Sequence, residues 1–247
     1  AILDELGPTH VATGDPILYT SADSVLQIAA HEEVFPLDRL YALCAIARKH
    51  CDAYRIGRVI ARPFLTDDGQ FERTAGRHDY SLIPPPTVLN ELQESGISVI
   101  GIGKISDIFA GSGISASHPT VSNADGMQTI DRLWDKKTPG LLFANLVDFD
   151  MLFGHRRDVD GYARALEEFD RWLGTFLPRI DSDDLVLITA DHGNDPTWKG
   201  TDHTRERVPL FRPGPGPAGT LGVIEGFGFV AETLREGFAS PRTIIDP

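Results

Sequence analysis

Cysteine is scarce: Cys44 and Cys51 are the only two in 247 residues. They lie seven apart near the end of an expected helix, and read as reduced thiols of a cytosolic protein rather than as a disulfide framework. Long apolar runs are missing too. No stretch approaches the roughly 20 residues that a membrane-spanning helix needs, and no secretory signal peptide is visible. Positive charge is in deficit, with 23 Lys and Arg against 36 Asp and Glu, a formal net charge of −13. Such a surface repels phosphate backbones and anionic lipid headgroups, which argues against a general nucleic-acid or membrane-surface binder. Part of the acidity suits metal ligands, whose charge a bound cation would offset. Internal repeats and low-complexity tracts are absent. The chain opens Ala-Ile-Leu-Asp-Glu-Leu, without Met and as though already inside a helix, so the expected N-terminus lies upstream.

With 41% hydrophobic residues the chain can build one large core or two modest ones. Residues 16–20 read as a strand, and 25–30 as a strand more than a helix. From Pro36 to about His50, Leu37, Leu40, Leu43, Cys44 and Ala47 keep helical spacing, with Pro36 at the first turn. Residues 56–64 read as a strand closed by Pro63, and 66–79 as a polar loop region. Pro84-Pro85-Pro86 is the best linker candidate. Beyond it the texture changes to helices alternating with apolar strands: helix 87–95 stopped by Gly96, strand 97–103, helix 125–134, strand 140–150, helix 159–180, strand 185–191, edge strand 208–211 and helix 230–238. That alternation predicts an α/β core on a mostly parallel sheet, with a smaller α+β domain over residues 1–84 and the core over 85–247. Ligands of such sheets gather at the carboxyl ends of strands, where both Asp150 and Asp191 are expected.

Those two aspartates head a constellation. Asp150 is followed five residues later by His155, Asp191 directly by His192, and His203 comes eleven residues after that. Mixed carboxylate and imidazole ligands suit Mn²⁺, Zn²⁺ or Fe²⁺ better than Ca²⁺ or Mg²⁺. Five such groups nearly fill two neighbouring sites, and two metals about 3.5–4 Å apart clamp the attacking and leaving oxygens of a phosphoryl transfer. Gly154 and Gly193 would let the backbone pass close to the ions. Asp148 competes with Asp150 for its role, and Asp195 and Asp202 read as turn formers or as partners orienting a ligating histidine.

The stretches YTSADSVLQIAAHEEV, GRVIARPF, RHDY, GKISDIF, NLVDFDMLFGHRRD and ITADHGNDPTWKGTDHTRE resemble those of the phosphopentomutases, of the alkaline phosphatase superfamily, over nearly the whole chain. ADHG alone would indicate only the superfamily; the last two stretches in tandem are specific. The resemblance implies an alkaline-phosphatase-like core, incomplete here, and a cap domain over residues 1–84. It implies Asp150, His155 and His203 as ligands of one Mn²⁺, with Asp191 and His192 in the shell of a second. Substrate contacts carry over to Ser21, Asp23, Val25, Arg58, Ile60, Arg77 and Lys104. Arg58 and Arg77 are chemically able to bind phosphate bidentately, Lys104 to supply a point charge, and Ser21 and Asp23 to bond sugar hydroxyls.

By this resemblance the enzyme interconverts the 1-phosphate and 5-phosphate of ribose or deoxyribose in cytoplasmic nucleoside and pentose phosphate metabolism. It works through a phosphothreonine and a bisphosphate intermediate, with a sugar bisphosphate as activator and a cap that excludes water. The family's further metal-binding Asp and its phosphorylated Thr precede the cap. Thr189 and Thr201 match neither, so the chain is expected to be a fragment with little or no mutase activity alone. The rival expectations are another metal-dependent member of the superfamily, such as a phosphoglycerate mutase or a phosphodiesterase, and a non-catalytic metal-binding fragment.

Overall fold

The computed structural model describes residues 2–21, 24–215 and 218–239. The chain separates into two compact units, Ala1–Pro84 and Pro85–Pro247.

The first unit has the order α1 (Ile2–Thr13), β1 (Ile17–Ser21), β2 (Val25–His31), α2 (Leu37–Asp52), β3 (Arg58–Asp67), β4 (Gln70–Arg73) and β5 (His78–Ser81). Its sheet runs β1-β2-β3-β4, with β5 also paired to β3. Only β2 and β3 are parallel, joined through α2; the other pairs are antiparallel. Period-two alternation sorts the side chains between two layers. Ile28, Ala30, Val59 and Ala61 face Leu40 and Cys44 of α2. Ile17, Ala29 and Phe64 face Leu3 of α1.

Two expectations fail here. Pro63 does not close β3, which continues to Asp67. The carbonyl of Pro63 accepts from Thr74 N at 3.2 Å, so its missing N–H would point to that same side. There the partner strand changes, from β5 along Arg58–Ala61 to β4 along Phe64–Asp67, and no ladder bond is lost. The expected polar loop of residues 66–79 contains β4 and the first half of β5. Both are short and polar, and β3 holds them through backbone pairing.

Cys44 and Cys51 are free thiols on α2. Burial pushes the Cys44 thiol from 9.0 up to about 11. The folded state therefore keeps a proton that the unfolded chain has lost. Stability is full below pH 9 and is lost as pH rises from about 9 to about 11, by about 2 kcal/mol. Urea titrations of the wild type and Cys44→Ala across this window check it: the variant, less stable at neutral pH, should show a flatter pH dependence.

The second unit contains α3 (Val88–Glu94), β6 (Val99–Ile102), α4 (Ile105–Ile108), β7 (Ala116–His118), α5 (Asn123–Trp134), β8 (Leu141–Ala144), a π-helical turn (Phe149–Gly154), α6 (Val159–Phe176), a 3₁₀ turn (Leu177–Arg179), β9 (Ile188–Thr189), β10 (Leu210–Phe211) and α7 (Gly228–Ala239). Its main sheet, β7-β6-β8, is parallel throughout, in keeping with the α/β class. Side-chain caps start the helices where the sequence placed them. Thr87 and Asn90 form a capping box on α3, Ser122 accepts from Asp125 N, and Asp158 accepts from Gly161 N. Among the described residues no helix is long and apolar enough to cross a membrane.

The strand expected over 140–150 ends at Ala144, because another element takes over the backbone. Asn123 Oδ1 accepts from Asp148 N at 2.9 Å, and Asp148 Oδ2 accepts from Asn123 N at 2.7 Å. This exchange ties Asp148 to the start of α5, and it is Asp150 that lies with His155 and His203. The chain then winds into the π-helical turn. Asp150 consequently sits within that turn instead of at a strand end. The strand expected over 185–191 shrinks to two residues paired antiparallel with β10, and Asp191 lies two positions beyond it.

Candidate metal centre

The π-helical turn brings Asp150 and His155 together. In an α-helix, residues five apart are about 140° out of line. Here His155 N bonds Asp150 O at 2.9 Å, an i→i+5 closure that returns position five to the starting face. His155 Nε2 lies 3.4 Å from Asp150 Oδ2. The loop after β9 supplies the third member: His203 Nε2 is 3.3 Å from Asp150 Oδ1 and 3.2 Å from His155 Nε2. One ligand atom from each of the three lies within 4.8 Å of the others.

The donor set fits a divalent transition metal, and the tautomer fits too. His155 Nδ1 is 2.5 Å from the carbonyl of Thr201. A carbonyl only accepts, so Nδ1 carries the proton and Nε2 presents its lone pair to the triangle, as a ligating imidazole must. The ring of His192 stacks on His203, centroids 3.7 Å apart and planes 21° apart. Its Nε2 is 3.6 Å from Asp191 Oδ2. The second Asp–His pair thus adjoins the triangle without joining it.

Polar side chains around the triangle are spoken for. Asn194, buried at 7% exposure, donates to Asp150 Oδ1 at 2.6 Å. The Asp195 carboxylate accepts from the Thr197 hydroxyl and N–H, which hold it below its ordinary range. Burial, with Glu206, Asp150 and Asp195 nearby, holds the Tyr162 phenol up. Gly154 has a tight geometric duty: a Cβ there would stand 2.4 Å from Asn194 Nδ2 and 2.9 Å from Phe149 O.

The other expected site residues divide between the units. In the first, sheet register sets Ser21, Val25 and Arg58 in one cross-strand row, and Tyr19, Gln27, Ile60 and Asp79 in the next. Val25 and Ile60 are buried. Asp23 lies outside the described residues. Arg77 grips both oxygens of Asp79 at 2.8 Å, which raises its pKa, and Arg58 reaches the same carboxylate at 3.7 Å. Lys104, in the second unit, follows Gly103 and rests its Nζ 2.5 Å from Met151 Sδ, beside Asp150 in sequence.

The sequence reading missed Arg62 and Arg73, which share the face of Arg58 and Ile60. Arg62 donates to Gln27 Oε1, and Arg73 donates to Arg62 O and Tyr19 Oη. Among the described residues neither pairs with a carboxylate. Burial and the neighbouring Arg62 pull the Arg73 guanidinium down. Two adjoining cations in an acidic chain are a signal that only the register reveals.

Residues 6–240 match the model of the Metalloenzyme superfamily. The chain belongs to the metalloenzyme superfamily. Three relatives of the chain are phosphopentomutases by name. That of Symbiobacterium thermophilum is 58% identical over 85% of this chain and 54% of its own length. Those of Syntrophotalea carbinolica and Idiomarina loihiensis are 55% and 54% identical over 96% and 97% of this chain, and 62% and 61% of their own. The chain thus spans between 54% and 62% of the length of these curated relatives.

Proposed function

We propose that this chain supplies the metal-binding and pentose-phosphate-binding parts of a phosphopentomutase, an isomerase that moves a phosphoryl group between the 1- and 5-positions of ribose or deoxyribose. The observation that carries the reading is the convergence of Asp150, His155 and His203 in a chain with relatives of that name at 54–58% identity.

On this reading Asp150, His155 and His203 hold one Mn²⁺, and Asp191 and His192 help to hold a second. When bound, such ions offset the charge on a phosphoryl group in transfer and favour ionisation of the attacking hydroxyl. The chain's own residues orient the sugar. Arg58 and Arg77, joined by Arg62 and Arg73, hold the distal phosphate through charge-assisted bonds. Ser21 and Asp23 bond sugar hydroxyls, and Val25 and Ile60 form an apolar floor; Lys104, whose Nζ rests against Met151 Sδ, offers a positive charge to phosphate. Phosphoryl passes from a phosphothreonine, matched by no Thr of this chain, to the pentose monophosphate. The bisphosphate formed reorients and returns its other phosphoryl group to the threonine. A sugar bisphosphate would activate such an enzyme by phosphorylating that threonine, and its setting is the cytoplasm.

Calorimetric titration tests the substrate class. The chain should bind ribose 5-phosphate in preference to 3-phosphoglycerate. Arg73→Gln should weaken that binding about tenfold or more, the worth of a hydrogen bond to a charged group. Preference for 3-phosphoglycerate would sink the reading.

A further inference from the structure

Arg157 is the side chain that best repays attention outside the expected ligands. Its guanidinium reaches five acceptors. Nε donates to Gly200 O at 2.6 Å and Nη2 to Asp202 O at 2.6 Å. Nη1 is shared among Asn194 Oδ1, Gly154 O and Asp195 O at 2.7, 2.9 and 3.0 Å. Its backbone is held at φ 55°, in the left-handed region that disfavours every residue with a Cβ. A residue stays there when its surroundings over-determine it.

Four of these five contacts lead to a member of the triangle. The bond from Nη1 to Asn194 Oδ1 settles which way that amide faces, because the oxygen must point at the arginine. The NH₂ group is thereby directed to Asp150 Oδ1, at 2.6 Å. The bonds to Gly200 O and Asp202 O bracket Thr201, whose carbonyl holds His155 Nδ1, and lead directly into His203. The bond to Gly154 O fixes the residue before His155. We propose that Arg157 and Asn194 are the positioning residues of the metal triangle: one guanidinium fixes the 194–202 loop and the Asn194 amide, and that amide fixes the Asp150 carboxylate. The proposal rests on the reading of Asp150, His155 and His203 as metal ligands.

The test measures Mn²⁺ affinity of the 247-residue chain by calorimetry or by the paramagnetic resonance of free Mn²⁺, beside the thermal midpoint of the metal-free protein. Asn194→Ala should weaken Mn²⁺ binding about ten- to a hundredfold, the usual effect of removing a group that orients a metal ligand. Asn194→Asp discriminates sharply. It adds a negative charge beside the site, which would tighten binding if charge alone mattered. It removes the donor to Asp150, which should weaken binding if orientation matters. Arg157→Lys keeps the charge without the planar fork and should also lose affinity. The metal-free midpoint of Asn194→Asp should stay within a few degrees of wild type. Variants that bind Mn²⁺ as well as wild type, or an Asn194→Asp that binds more tightly, overturn the positioning role. A wild-type chain that takes up no Mn²⁺ overturns instead the ligand reading beneath it, so the two failures are distinguishable.

Discussion

Replacing His203 by alanine should cost the chain about a hundredfold in Mn²⁺ affinity. Structural Zn²⁺ sites of four protein ligands bind with about 10–16 kcal/mol, so one ligand there is worth about 3 kcal/mol, or about two decades, which sets the upper scale for the more weakly held Mn²⁺. The geometry gives His203 more than an average share. It stands 3.3 Å from Asp150 and 3.2 Å from His155, and it stacks on His192. Its loss opens one side of the triangle and frees the ring of the neighbouring pair. The side chain is 45% exposed, so the substitution leaves no buried cavity and the metal-free fold should persist. Competition against a chelator of known affinity reads the change. A variant within threefold of wild type would remove His203 from the site.

The second large effect falls on the first unit. Phe64→Ala should destabilise it by about 4 kcal/mol, within the usual range for a buried aromatic truncated to a methyl group. Phe64 is fully buried, and it sits among three rings: His10 at 5.6 Å, His31 at 5.5 Å and Phe71 at 5.3 Å. His10 Nε2 accepts from His31 N at 2.8 Å, which ties α1 to β2 beside the phenyl ring. A cavity there removes the packing between the helix and three strands. Domains of this size are stable by only about 5–15 kcal/mol, so the loss is a large share of the total. Urea unfolding followed by far-ultraviolet dichroism measures it. A shift below about 1 kcal/mol would mean that the site collapses around the gap.

Much of this was readable from the chain. α2 and α3 announce themselves through Pro36, the Thr87 cap, Gly96 and apolar residues at helical intervals, all local signals. β2 and β6 are apolar runs bounded by polar residues. β4 and β5 were invisible because their order comes from β3, a neighbour distant in sequence. The strand expected over 140–150 overruns β8, which ends at Ala144, because Leu146, Val147 and Phe149 continue an apolar pattern that a π-helical turn uses equally well. Nothing in DFDMLFGH marks five-residue winding.

The ligand candidates were legible because Asp and His are rare in such spacing and chemically demanding. Their supports were not. Arg157 works through carbonyls of Gly154, Asp195, Gly200 and Asp202, and a carbonyl has no signature in sequence. Asn194 acts through the orientation of an amide, which depends on what its oxygen meets. Arg62 and Arg73 stand out only when register shows them on one face, with neither paired to a carboxylate among the described residues.

The π-helical turn also bears on how this chain can vary over generations. Surface segments ordinarily accept inserted and deleted residues. Between Asp150 and His155 the side chains of Met151 and Leu152 are 45% and 40% exposed, which suggests freedom to change. Freedom of identity is not freedom of length. Deleting one of the four intervening residues would swap the five-residue closure for another winding and shift the backbone leading to Arg157, while adding one would turn His155 away from Asp150. Met151 and Leu152 can drift in identity, Gly154 cannot, and the geometry tolerates no change in the number of residues between Asp150 and His155.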